Sequence, residues 1–171
     1  MKLQIGCLGE RIEGFNGVDI VQHGGVEYVR DAKDLSCFKD GEIEEIYASH
    51  ILEHFHKPET LKVLEEWHRV LQKGGTLHLS VPDFEAVVDM YIKSGWILST
   101  WLDHLMHGDQ ADPQSFHYTC FTYPTLSGML SKVGFSRIQR VEQLPYNLDD
   151  ASKITDNRFN RAISVNIKAV K

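Results

Sequence analysis

The feature that most constrains this chain is a helix held between two strands. Residues Pro58 to Leu71 set Leu61, Leu64, Trp67, His68 and Leu71 on one apolar stripe at helical spacing. Pro58 suits the first helical turn, Glu59 favours the positive end of the helix dipole, and Gly74-Gly75 ends the run. "EIEEIYASH" before it and "TLHLSVP" after it read as strands, the first with Ile43, Ile46, Tyr47 and Ala48 as its apolar content. Strands joined through helices build a mainly parallel sheet, so this unit points to an α/β architecture.

Three short strands are expected before that unit, at Lys2 to Ile5, Gly17 to Val21 and Val26 to Arg30. After it, helices are expected over "FEAVVDMYI", over Ile97 to Met106, and over Pro124 to Val133, the last closing on Gly134. Two final strands, Arg137 to Val141 and Ala162 to Val170, have no helix between them and should be antiparallel neighbours at one edge. The polar stretch separating them, "PYNLDDASKITDNRFNRA", reads as an exposed hairpin loop. The expected fold is a Rossmann-like, open, seven-stranded, mainly parallel sheet with an antiparallel last strand and helices on both faces. Ligands of such sheets bind beyond the carboxyl ends of the strands, where strand order reverses. The turn Gly6, Cys7, Leu8, Gly9 lies there, directly after the first strand. Asp19 follows closely, whereas a nucleotide-binding crevice usually puts about twenty residues between glycine turn and acid. The turn is therefore either a shortened crevice or an ordinary hairpin.

With 171 residues the chain is expected to form one domain, residues 1–171. A formal charge of −6, with Lys and Arg scattered among more acids, argues against a nucleic-acid partner. Three widely spaced cysteines, Cys7, Cys37 and Cys120, signal neither a disulfide framework nor a cysteine-based zinc site, so a reducing cytoplasm is the expected home. The longest apolar stretches fall short of a membrane span, and Met1 runs directly into strand-like sequence, so no signal peptide is expected.

Three blocks taken together, "IYASHILEHF", "LEEWHRVLQKGGTLHLSVPD" and "FTYPTLSGMLSKVGF", resemble the class I S-adenosylmethionine-dependent methyltransferases. The likeness is closest to the small branch without an N-terminal helical cap, the methyltransferase type 11 domains. The resemblance implies S-adenosyl-L-methionine as cofactor and a first crossover shortened to about one turn. It also assigns roles by position. Gly6, Cys7 and Gly9 would let backbone approach the methionine part of the cofactor. Asp19 would accept from the ribose hydroxyls, and Asp31 and Ala32 would meet the adenine. Ser49 and His50 would face the methionine end and the acceptor. Gln4 and Leu8 depart from the family pattern, which has an acid and a further glycine at those places.

The segment of about residues 84–123 is expected to be a helical insertion on the acceptor side. It is rich in aromatics and histidines, and His107, His117 and Tyr118 flank its polar loop. His107 and Tyr118 are the candidate substrate contacts. His117 and His50 are the candidate catalytic residues, because histidine is the usual proton acceptor near neutral pH. "HILEH" also fits His-x-x-Glu-His, a metalloprotease pattern in which Glu53 would act as base. Pro58 cuts off the long helix that this chemistry requires, so no metal is assigned, and His54 is expected to begin a turn that hydrogen-bonds nearby loops. The Pro-Pro-aromatic signature of methyltransferases acting on amino groups is absent after the fourth strand, where "SHIL" stands. These features favour a methyltransferase with a small-molecule acceptor. A non-catalytic cofactor-binding or partner-binding module on the same fold and a metal-dependent hydrolase are the rival classes, and a homodimer is the assembly left open.

Overall fold

The computed structural model describes residues 1–7, 11–146 and 148–171. Four short strands come first: β1 (Lys2–Ile5), β2 (Asn16–Asp19), β3 (Val26–Val29) and β4 (Ile43–Ser49). They are followed by α1 (Lys57–Val70), β5 (Leu71–Pro82), α2 (Phe84–Lys93), α3 (Thr100–His107) and α4 (Tyr123–Val133). The chain ends with β6 (Ser136–Val141), the two-residue strands β7 (Thr155–Asp156) and β8 (Arg161–Ala162), and β9 (Ser164–Val170). Seven strands form one sheet in the order β3-β2-β1-β4-β5-β9-β6, and β7 pairs only with β8. β1 to β5 run parallel, and β9 is antiparallel to both β5 and β6. The expected seven-stranded sheet with an antiparallel last strand is thus present, with β9 slotted inside the edge strand. Among the described residues, no helix is long and apolar enough to cross a membrane.

Local boundaries follow backbone chemistry. α1 ends at Val70 and the chain turns at once into β5, so Gly74-Gly75 lies within a strand rather than after a helix. Gly74 has φ +81°, and the β4–β5 register slips opposite it, which marks a bulge. The second strand stops at Asp19, because Asp19 Oδ1 accepts from Val21 N at 3.0 Å in a tight turn. α4 is bounded as its sequence predicts: Thr122 and Thr125 form a reciprocal cap, and Gly134 at φ +114° closes it.

The two faces of the sheet differ. On one, Leu3, Ile5, Val18, Ile46, Ala48, Leu77, Leu79, Val81, Val165 and Ile167 form the main core with Val63, Leu64 and Trp67 of α1 and Leu126 and Leu130 of α4. Trp67 is fully buried and its indole N–H donates to Ala32 O at 2.8 Å. His68 is half-buried at the edge of this layer, against the Phe135 ring.

Strand alternation puts Lys2, Gln4, Glu45, Tyr47, Ser49, His78, Ser80 and Asn166 on the opposite face. This face is polar, and its apolar cluster (Ile12, Phe15, Tyr47, Leu144 and Leu148) contains no α-helix residue. This face is covered by the segments around residues 11–15 and 142–153.

The polar stretch expected to be an exposed hairpin loop is therefore a strap that lies back on the sheet. Leu148, Ser152 and Asp156 are buried. Tyr47 Oη donates to Asp150, and Tyr146 Oη donates to Glu45. Only its far end, β7 and β8, forms a small hairpin. Beyond the strand ends, α2 and α3 pack on each other through Ala86, Val87, Met90, Leu102 and Leu105, together with Ile163. Fully buried Asp83 caps α2 and binds Arg140 Nη2 at 2.8 Å, which ties this segment to β6.

Candidate functional site

Parallel strands in the order β3-β2-β1-β4 bring their carboxyl ends to one edge, so the turns that begin at Arg30, Ile20, Gly6 and His50 lie side by side. A cavity of about 340 Å³ opens there, between the ends of β1 and β4. One wall is Gly6, Cys7, Ser49, His50 and Ile51, the floor includes Gln4 and Tyr47, and the strap residues Leu148 to Ala151 form the other wall. Gly6 has φ +70°, its N–H donates to Val18 O at 2.8 Å, and an added Cβ would stand 1.9 Å from Ile51 Cδ1. Only glycine satisfies both the turn and that contact.

The cavity carries two acids, Asp149 and Asp150, on its strap side. Asp150 accepts from Tyr47 Oη and from Ser152 N at 3.0 Å. Burial, then Asp150, push the Tyr47 hydroxyl well above its usual range, so it stays protonated and donates. Ser49, Ser80 and Asn166 stand in one row across β4, β5 and β9. Ser80 Oγ and Asn166 Oδ1 are buried and have no hydrogen-bond partner among the described residues.

His50, at φ +53°, connects this cavity to a second group. Its Nε2 lies 2.8 Å from Ser164 Oγ, and its Nδ1 faces Glu53 Oε1 at 3.2 Å. Glu53 is the middle residue of the single turn Leu52–His54 and is 1% exposed. Burial alone would raise its carboxyl, but the His50 and His54 imidazoles bring it below the usual range, so it is ionised at neutral pH. His54 Nδ1 lies 3.0 Å from Phe116 O, which makes it a donor; this is the loop hydrogen bond expected of that turn. The return limb of the insertion is stitched here by Tyr118 N to Glu53 O at 2.8 Å and by Thr119 Oγ1 to Phe55 O at 2.9 Å. As a result the His54 and His117 ring centres are 4.9 Å apart. His117 Nδ1 faces Leu105 O at 3.1 Å, and burial holds this imidazole below its usual value.

The structure thus brings together Gly6, Cys7, Ser49 and His50 at the cavity, and His50 with His117 through Glu53. Gly9 lies outside the described residues. Asp19 ends β2 as expected but does not line the cavity, and its carboxylate also faces His23 Nε2 at 3.5 Å. Asp31 Oδ1 accepts from Lys33 N at 3.0 Å, and the Ala32 carbonyl is taken by Trp67. Tyr118 packs against His56 with ring centres 4.0 Å apart and planes tilted by 42°, while the exposed His107 faces Asp103 at 3.0 Å. Sequence reasoning missed Asp149, Asp150 and the strap as cavity wall. Nothing in a polar, aperiodic segment signals contacts made across a hundred residues of chain.

The strand order, with its antiparallel strand inside the edge and its cavity at the parallel strand ends, is a Rossmann-like fold that the chain shares with solved methyltransferases. Residues 16–79, from β2 into β5, match the family model described as Methyltransferase domain, so less than half of the chain carries that match. No curated protein matches the sequence. Among solved structures, a SAM-dependent methyltransferase from Archaeoglobus fulgidus is 18% identical, with a TM-score of 0.61 over 99% of this chain and 85% of that one. A SAM-dependent methyltransferase from Methanosarcina mazei is 19% identical, with a TM-score of 0.61 over 99% and 91%. The Burkholderia thailandensis 1,6-didemethyltoxoflavin-N1-methyltransferase, solved with bound 1,6-didemethyltoxoflavin and S-adenosylhomocysteine, is 16% identical, with a TM-score of 0.61 over 99% and 70%.

Proposed function

We propose that the protein binds S-adenosylmethionine and transfers its methyl group to a small-molecule acceptor. The observation that carries this reading is the cavity of about 340 Å³ where the Gly6-Cys7 turn meets Ser49-His50. Its volume falls within the about 300–1,000 Å³ of small-molecule sites. Its two acids suit a ligand that carries an ammonium and a sulfonium, and Gly6 keeps side chains out of the turn. The cofactor, when bound, supplies an already activated methyl group, so the chain's task is to align the partners and exclude water.

In this reading Gly6, Cys7, Gly9 and Ser49 hold the methionine part, Asp19 takes the ribose, and Asp31 and Ala32 meet the adenine. The acceptor lies toward the insertion, between His50, His107, His117 and Tyr118. His117 is the better proton acceptor of the two catalytic candidates, because its Nδ1 is committed to Leu105 O and leaves Nε2 free to accept. Both ring nitrogens of His50 already face oxygen atoms. The negative charge of the chain supports a small acceptor rather than a polyanion, and three free cysteines suit a reducing cytoplasm.

Calorimetry with S-adenosylhomocysteine tests the reading directly. At ligand about a hundredfold above its dissociation constant, binding stabilises the fold by about 2.7 kcal/mol, which raises the melting temperature by about 5–10 °C. Neither heat nor a melting shift at millimolar ligand would overturn it.

A further inference from the structure

We propose that Glu53, His54 and His117 form a binding site for one divalent transition-metal ion of the zinc class. Among the described residues, each of the three offers one ligand atom, and these atoms all lie within 4.8 Å of one another. Bonds of about 2.0–2.2 Å to zinc place two ligand atoms about 3–4 Å apart, so a small inward rotation of the rings closes the site. The set is two histidines and one carboxylate, which suits zinc and its neighbours in the first transition row.

Two observations point to a ligand. The Glu53 side chain is 1% exposed; Oε1 faces His50 Nδ1 at 3.2 Å, and Oε2 has no hydrogen-bond partner among the described residues. A buried carboxylate oxygen left without a hydrogen bond is costly unless a cation serves it. Each histidine also directs Nδ1 to a backbone carbonyl, His54 to Phe116 O at 3.0 Å and His117 to Leu105 O at 3.1 Å. This is the outer-shell arrangement that fixes a metal-binding imidazole, with Nε2 left as the ligand atom.

The site joins two segments that sequence separates. Glu53 and His54 follow β4, while His117 returns from the insertion and is fixed by Tyr118 N on the Glu53 carbonyl. The "HILEH" pattern alone pairs His50 with His54; in the structure His50 Nε2 faces Ser164, and His117 supplies the third ligand instead. The ion would sit one residue beyond the cavity wall, since His50 both lines the cavity and faces Glu53. It would claim the His117 Nε2 lone pair that a base would use, so the two roles are alternatives.

Cobalt(II), added to chelator-treated protein, is the probe. The expected result is one equivalent bound at micromolar protein, with visible absorption of a four- or five-coordinate ion that zinc then bleaches. Glu53→Gln and His117→Gln should each weaken cobalt binding tenfold or more, with circular dichroism reporting whether each variant is folded. Absence of a saturating equivalent in the parent overturns the proposal, as does unchanged affinity in folded variants. The proposal does not rest on methyl transfer: S-adenosylhomocysteine calorimetry in the presence of chelator reads that activity's cofactor site alone.

Discussion

The helix-covered face of the sheet and the strap-covered face do different work. The first buries leucine, isoleucine and valine side chains from strands and two helices, and the Trp67 indole donates to the Ala32 carbonyl within it. Removing about 150–250 Å² of aromatic surface from water stabilises by about 4–6 kcal/mol at ~25 cal/mol/Å². The second face places Glu45, Tyr47, His78, Ser80 and Asn166 under a strap with a small apolar cluster. It gains less from burial, and it holds the cavity. The larger apolar core lies on one side of the sheet and the cavity on the other.

Substitutions can break or sharpen that contrast. Trp67→Ala should have the largest effect on stability, a loss of about 3–5 kcal/mol, read by urea denaturation. S-adenosylhomocysteine affinity of the protein that remains folded should change little, and a loss of affinity larger than the loss of stability would erase the distinction between faces. Tyr47→Phe removes the hydroxyl that holds Asp150 and should cost about 1.5–3 kcal/mol. Its sharper effect should be on calorimetric affinity, because the strap that closes the cavity loses its anchor. Gly6→Ala adds a Cβ that would meet Ile51 at 1.9 Å, in a backbone that side chains rarely adopt. A stability loss of about 1–3 kcal/mol is expected, together with weakened S-adenosylhomocysteine binding.

The smallest expected effect is on pH dependence. Burial holds His78 below its usual value of 6.5 even though it faces Glu45 at 2.9 Å. Glu45, which burial alone would raise, is brought below 4.5 by Lys2, Tyr146 and His78. For both groups the native state binds fewer protons than the unfolded chain, so stability falls as pH is lowered. The His78 contribution is lost from about pH 6.5 downward and the Glu45 contribution below about pH 4.5. Melting temperatures between pH 8 and 5 should fall less steeply in His78→Gln than in the parent. An unchanged slope would show that His78 titrates as freely in the native state as in the unfolded chain.

The helix-covered face was legible in sequence because its signals are local and periodic. The stripe Leu61, Leu64 and Trp67 of α1, the closure of α4 at Gly134, and the strand-like run "TLHLSVP" in β5 each fix an element from nearby residues. The strap was not legible, since Tyr146 meets Glu45 and Asp150 meets Tyr47 over about a hundred residues, and neither contact has a sequence period. The candidate site was half legible. The Gly6-Cys7 turn and Ser49-His50 followed from strand ends, whereas the approach of His117 to Glu53 depends on a backbone bond from Tyr118 that no spacing encodes.

The position of β9 has a consequence for how the molecule is made. β6 touches the sheet only through β9, which is the last element of the chain. During synthesis from the amino terminus, β1 to β5 and α1 can pair as soon as they emerge. Ser136–Val141 must then wait with an open edge until Ser164–Val170 arrives to bridge it to β5. The strap between β6 and β9 settles last of all, so the cavity cannot close until β9 has been made. A ribosome stalled before β9 would display a nascent chain with an unpaired β5 edge, a template for aggregation, and loss of β9 would unseat the strap that walls the cavity without deleting one of the candidate histidines.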